Sequence, residues 1–203
     1  MNLLFDEAGK FLAGRILSEA EASAQVELDS GKRVKVKAAN QLLRFDKPAP
    51  ADLLAQLLPH FAPLGIAPDE AVVLRAIPHY QERAKTLKEM AENMAWLFQA
   101  PQSFPPDAAK KAFKGADTVR LLQDLQSRIE TLTVVSEETL HDAVAACVEA
   151  NGVGFGKVGQ PARLAVTGGA PSPDLAATLS LLDKAEILRR LQFAAEYIEQ
   201  NHE

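Results

Sequence analysis

Lys47-Pro48-Ala49-Pro50-Ala51 divides the chain into two styles of sequence, and the fold class follows from reading outward from it. Two prolines separated by one alanine break regular structure and bias their neighbours toward extended backbone, so the segment reads as a linker. Upstream, the apolar pattern has a period of two. Arg33-Val34-Lys35-Val36-Lys37 alternates strictly, with the valines on one face and three cations on the other. Gln25-Val26-Glu27-Leu28 alternates in the same way, and Asp29-Ser30-Gly31-Lys32 between the two is a turn signal. Phe11 to Leu17 is rich in β-forming residues, and Gln41 to Phe45 supplies a further candidate strand. Residues 1–47 are therefore expected to form a small β-sheet or barrel, followed by a linker over 48–57.

Downstream the period lengthens to that of a helix. From Gln81 to Phe98 the residues Leu87, Met90, Ala91, Met94 and Phe98 recur at spacings of three and four, which predicts an amphipathic helix stopped by Pro101, Pro105 and Pro106. A second helix is expected from about Thr118 to Leu132, with Val119, Leu122, Leu125 and Ile129 on one face. Ser136 followed by Glu137 and Glu138 is a capped start, and Asn151-Gly152 is a stop. Ser172-Pro173-Asp174 reads as another start with Ser172 as the cap. Two short helices follow, the last turning Ile187, Leu191, Ala194 and Ile198 inward. The expected fold class is mainly α, with a small N-terminal β module and helical parts over 58–132 and 133–203.

Composition narrows the chemistry. The net charge is −5; residues 1–56 hold eight basic and eight acidic side chains, and the remainder holds 14 against 19. An acidic average does not suit phosphate binding, so any nucleic-acid contact has to come from locally placed cations. Arg83, Lys85 and Lys88 form one basic cluster and Lys110, Lys111 and Lys114 another, although clusters of this kind are usually solvated faces. Cys147 is the only cysteine, which excludes an intrachain disulfide and a Cys-rich zinc site; its apolar neighbours predict a buried, inert thiol. His60, His79, His141 and His202 lack the spacing that seats a metal on a helix. No nucleophile elbow is present. Gly152-Val153-Gly154-Phe155-Gly156-Lys157 departs from the phosphate-loop pattern because Val158 follows the lysine, so it reads as a flexible connection between helices. No metal, cofactor or catalytic set is expected. With no apolar run near the ~20 residues of a membrane span and no basic start of a signal peptide, a cytoplasmic protein is expected.

Glu82-Arg83-Ala84-Lys85-Thr86-Leu87-Lys88-Glu89-Met90, followed by Trp96-Leu97-Phe98, resembles the C-terminal half of bacterial glutamyl-tRNA synthetases. So does Gly156-Lys157-Val158-Gly159-Gln160-Pro161-Ala162-Arg163-Leu164-Ala165-Val166-Thr167-Gly168 with Ser172-Pro173 after it, and Asp183-Lys184 to Arg189-Arg190-Leu191 fits the family's last helix. The likeness runs collinearly from about Leu58 to the end. It implies a two-part, all-helical anticodon-binding region whose partner is the anticodon stem-loop of tRNA-Glu. By the same resemblance Arg83 reads the third anticodon base, and Arg163 is expected at the others. Ser172, Pro173 and Leu175 line the base pockets, while Lys85, Lys88 and Lys157 are candidate contacts to the RNA backbone. Three departures stand out: Ala162 where the family has Leu, Asp183 where it has Gly, and Ala176 at a place that can be aromatic.

The ATP-binding signatures of that family (HIGH-like and KMSKS-like) do not occur in the chain. ATP and Mg²⁺ would belong to that catalytic domain, so amino-acid activation is not expected here. Lys10-Phe11-Leu12-Ala13-Gly14-Arg15-Ile16-Leu17, Gln25-Val26-Glu27-Leu28 and Gly31-Lys32-Arg33-Val34-Lys35-Val36-Lys37 resemble instead the N-terminal segment of ribonuclease II-family exoribonucleases, without that family's metal-binding aspartates. Three functional readings stay open at this point. One is a monomeric anticodon-binding module. Another is half of a split synthetase that needs a separate catalytic chain. The last is a non-catalytic fusion or scaffold with general RNA affinity through Arg33, Lys35 and Lys37.

Overall fold

A computed structural model describes residues 1–28, 30–46 and 48–201. Asp29 of the expected turn, Lys47 of the expected linker and His202 lie outside the described residues. The chain divides into two compact units, Met1–Leu53 and Leu54–Glu203.

The first unit is an antiparallel sheet of five strands: β1 (Asn2–Glu7), β2 (Lys10–Ala20), β3 (Ser23–Leu28), β4 (Arg33–Lys37) and β5 (Gln41–Phe45), in the order β4-β3-β2-β1-β5. The predicted β3–β4 pairing sets Val26 opposite Val34 and Gln25 opposite Lys35. Consecutive strands β4 and β5 sit at opposite edges, joined only by a 3₁₀ turn over Ala38–Asn40. A flat sheet would separate those edges by about 19 Å. The connection can span only about 14 Å, so the sheet must curl toward a barrel, helped by register breaks at Leu4/Phe5 and Ile16/Ser18. Inside the curl lie Leu3, Phe5, Ala24, Val26 and Val36.

The second unit is helical. Its elements are α1 (Pro50–Leu57, which begins in the first unit), α2 (Glu70–Tyr80), α3 (Leu87–Met94), α4 (Pro106–Ala112), α5 (Ala116–Thr131), α6 (Glu137–Ala150), α7 (Phe155–Thr167), α8 (Leu175–Ser180) and α9 (Lys184–Asn201). The 3₁₀ segments Leu58–Leu64 and Ala95–Leu97 join them. The most extensive packing is α5 against α9, and α7 also packs on α5, α6 and α9. Leu122, Leu125, Ile129, Ile187, Leu191 and Ala194 fill this core, where each large aliphatic side chain contributes about 1.5–3 kcal/mol of burial. Lys184 Nζ donates to the carbonyls of Leu132 (2.8 Å) and Glu130, closing the C-terminus of α5.

Several local expectations change. Residues 50–57, read as linker, are helical, because Pro50 occupies a first-turn position where its missing N–H costs nothing. The helix expected from about Gln81 starts only at Leu87. Thr86 caps it by accepting from Glu89 N (3.1 Å), while the N–H groups of Arg83 and Ala84 fold back to Tyr80 O at 2.9 and 3.0 Å. Arg83 is thus in a turn between helices. The glycine-rich connection is shorter than expected, since Phe155, Gly156 and Lys157 already form the first turn of α7. Asp174, not Ser172, caps α8, accepting from Ala177 N at 3.0 Å. Of the two closing helices expected to be short, α9 runs 18 residues. Ser136 caps α6 as expected, in a box closed by Thr139.

Candidate nucleic-acid interface

The segment Pro171-Ser172-Pro173 is the focus of the helical unit. Helix α7 ends at Gly168, whose φ of 64° is left-handed backbone that favours glycine, and whose N–H reaches Leu164 O at 2.9 Å. From that cap the chain crosses to Asp174 at the start of α8. Two guanidinium groups meet on the crossing. Arg83 Nη1 donates to Ser172 O (3.0 Å). Arg163 Nη1 donates to Ser172 Oγ (2.9 Å), to Ser172 O (3.4 Å) and to Pro173 O. Residues far apart in sequence are thereby gathered on one carbonyl. Because α8 begins at Leu175, its cap position is Asp174, and Ser172 lies two residues upstream with its hydroxyl toward Arg163.

Beneath this pair runs a buried polar chain that sequence reasoning did not find. Tyr80, at the end of α2, donates its hydroxyl to Pro171 O (3.2 Å) and accepts from Trp96 Nε1 (2.9 Å). Burial pushes the Tyr80 pKa up, so the hydroxyl keeps the proton it donates. Arg190, only 2% exposed, then ties α9 to both neighbours: Nη1 donates to Trp96 O (2.8 Å) and Val166 O (2.5 Å), and Nε to Glu186 (2.6 Å). The Arg189 guanidinium, with Arg190 adding to it, holds the Glu186 carboxyl below its usual range. Arg190 falls three residues after Ile187 and four before Ala194, so core spacing was the signal that could have exposed it.

The other expected site residues are placed less uniformly. Leu175 follows the segment after Asp174 but is buried as the first residue of α8. Lys85 and Lys88 are exposed; the Lys85 backbone N–H bonds Glu89 (2.8 Å), and Lys88 Nζ lies 3.8 Å from Glu92. Lys157 is exposed in the first turn of α7. With Lys111, Lys114, Asp117, Gly156 and Gln160 it lines an open cavity of about 440 Å³ between α7 and the end of α4. Cys147 is fully buried, and burial pushes its thiol up to about 12. Among the described residues no group of three or more His, Cys, Asp or Glu side chains could hold a metal ion, and no helix is long and apolar enough to cross a membrane.

Two guanidinium groups thus converge on the 171–173 segment of the helical unit. Comparison with known proteins gives the class. The anticodon binding domain family matches residues 52–195, and the chain belongs to that family. It is similar to the glutamate-tRNA ligase of Dichelobacter nodosus, 52% identical over 149 residues that cover 73% of this chain and 32% of that protein. Glutamate-tRNA ligase 2 of Halorhodospira halophila is 39% identical over 153 residues, covering 75% and 32%. Among solved structures, a glutamate tRNA ligase from Elizabethkingia meningosepticum aligns with a TM-score of 0.69 and 28% identity, over 74% of this chain and 30% of that one. The matched region is an anticodon-binding domain like that of glutamate-tRNA ligases, and the chain spans about a third of the length of these relatives.

Proposed function

We propose that the helical unit binds the anticodon loop of tRNA-Glu, with Arg83 and Arg163 as the base-reading groups. The observation that carries this is the convergence of both guanidinium groups on the Ser172 carbonyl. A guanidinium has five N–H donors, and the bonds to the loop run through one nitrogen of each arginine, which sets the orientation of the rest of the fork. Ser172 and Pro173 form the wall beside the bases, and Leu175 supports that wall from the core. Lys85, Lys88 and Lys157 contact the RNA backbone. The protein acts in the cytoplasm as a monomer, and amino-acid activation with ATP and Mg²⁺ falls to a catalytic chain or region outside the matched third. Within the helical unit, 58–132 and 133–203 are the two anticodon-binding parts, and 1–47 is a separate β module.

Equilibrium binding of tRNA-Glu and of a non-cognate tRNA, to wild type and to Arg83→Ala, tests this reading. A bidentate base contact carries about 1–3 kcal/mol of discrimination, so Arg83→Ala should lose cognate affinity and leave non-cognate affinity nearly unchanged. Equal weak binding in all four measurements would sink the reading.

A second role is favoured by one observation in the β module: Arg33, Lys35 and Lys37 are all exposed on edge strand β4. We infer that this module, with its likeness to the N-terminal segment of ribonuclease II-family enzymes, adds general RNA affinity. Replacing the three cations with Ser should weaken binding to every RNA equally and flatten its salt dependence. An unchanged salt slope would remove the role.

A further inference from the structure

We propose that Phe155 is a stacking platform for an unpaired RNA base, adjacent to the nucleotides engaged by Arg83 and Arg163; this rests on the anticodon-binding reading above. Phe155 opens α7 and is 54% exposed, in a first turn (Phe155–Lys157) that faces solvent ahead of the buried body of the helix. Its ring is seated on Gly159, one turn on. A Cβ at Gly159 would come within 2.7 Å of the ring Cε1 and 3.1 Å of Cδ1. Glycine is unfavourable inside a helix, and the bare backbone there lets one side of the ring, from Cδ1 through Cε1 to Cζ, sit against α7. A ring seated on one side in this way has less freedom to lose when a base settles on it.

The position and the surrounding charge identify the occupant. Phe155, Gly159 and Arg163 follow one another at spacings of four, so they share one side of α7, about 12 Å from first to last. The ring therefore lies on the same side of α7 as Arg163. Helix α7 carries Lys157 and Arg163 and no carboxylate, in a chain whose net charge is −5. Around the turn from Phe155, Lys157 meets Lys111 and Lys114 across the cavity, with Asp117 as the carboxylate in its lining. An apolar protein partner would need a wider apolar patch than one ring between Gly154 and Gly156. A single-stranded RNA uses what is present: cations for its phosphates and an aromatic face for a base, a pairing that tolerates any base identity.

The test is a fluorescence titration of the full chain with an RNA hairpin carrying the tRNA-Glu anticodon loop, with 2-aminopurine placed in turn at each loop position. Removing a stacking partner of this kind weakens binding by about tenfold, so Phe155→Ala and Phe155→Leu should both show that loss and relieve quenching at one loop position. Phe155→Trp should bind as tightly as wild type. Gly159→Ala, which pushes the ring off its seat, should weaken binding in the same direction. If Arg83→Ala weakens binding while Phe155→Ala and Phe155→Leu bind as wild type does, stacking is overturned and the anticodon reading stands. Failure of the wild-type chain to bind the hairpin overturns both. Sedimentation runs beside the titration; a dimer that Phe155→Ala dissolves without any change in RNA affinity would assign this face to a second copy and overturn the proposal.

Discussion

The arginines of the β module and the two arginines at the 171–173 segment of the helical unit are held in opposite ways. In the β module they are answered by carboxylates: Arg15 and Arg33 both pair with Glu27, at 2.8 and 3.4 Å, and Arg44 pairs with Glu19 at 2.9 Å. At the 171–173 segment of the helical unit, Arg83 and Arg163 are answered by backbone carbonyls and a hydroxyl. A carboxylate cancels the charge it binds, whereas a carbonyl only orients it. The first arrangement gives a solvated surface of partly neutralised arginines whose pairs add little stability. The second gives two fixed cations ready for a ligand. Net charge therefore says little about where an acidic chain can hold an anionic ligand, and the bonding partner of each arginine says more.

Breaking the orienting bonds from below should have the largest effect. Arg190 is buried between α7, α9 and the Trp96 segment, so Arg190→Ala leaves the Val166 and Trp96 carbonyls without their donor and removes a partner from Glu186. A loss of about 3 kcal/mol or more is expected, read as a lower urea midpoint of the helical unit. Next comes Tyr80→Phe, which keeps the ring but cuts the link between Trp96 and Pro171. About 1 kcal/mol of stability should go, and tRNA discrimination should fall while non-cognate affinity stays; equal losses for both RNAs would mean that Tyr80 only holds the fold.

Cys147 gives a smaller, pH-dependent effect. Burial raises its thiol from an ordinary 9.0 to about 12, so the folded chain keeps a proton that the unfolded chain gives up between those values. Stability should be unaffected below pH 9 and fall as pH rises toward about 12; Cys147→Ala should flatten that limb of a stability-pH curve. The smallest effect belongs to the β module. Glu27→Gln frees Arg15 and Arg33 at an exposed pair, and should leave unfolding of the helical unit unchanged while steepening the salt dependence of RNA binding. A change in tRNA discrimination from Glu27→Gln would erase the contrast between the two units.

What could be read from the sequence follows the range of the forces involved. Val34 and Val36 alternate with cations, and Ser136 stands before two acids, so strand β4 and the start of α6 were local decisions that neighbours fix. Pro50 shows the limit of such reading, since the same residue that breaks a helix interior begins a helix at its first turn. Ser172 is not the cap because α8 starts only at Leu175, which puts Asp174 in the capping position. Arg83, Arg163 and Ser172 were named through resemblance, but their meeting on one carbonyl depends on tertiary contact. Arg190 was hidden in an Arg-Arg pair whose type suggests solvent, although its spacing from Ile187 and Ala194 pointed inward.

Arg83→Lys probes the central claim most directly, because lysine keeps the charge and loses the planar fork. The ratio of tRNA-Glu to non-cognate tRNA affinity should fall by about tenfold or more, with the salt slope of binding unchanged. A lysine variant that discriminates as well as wild type would contradict base reading by Arg83 and leave only a cation attracting phosphate.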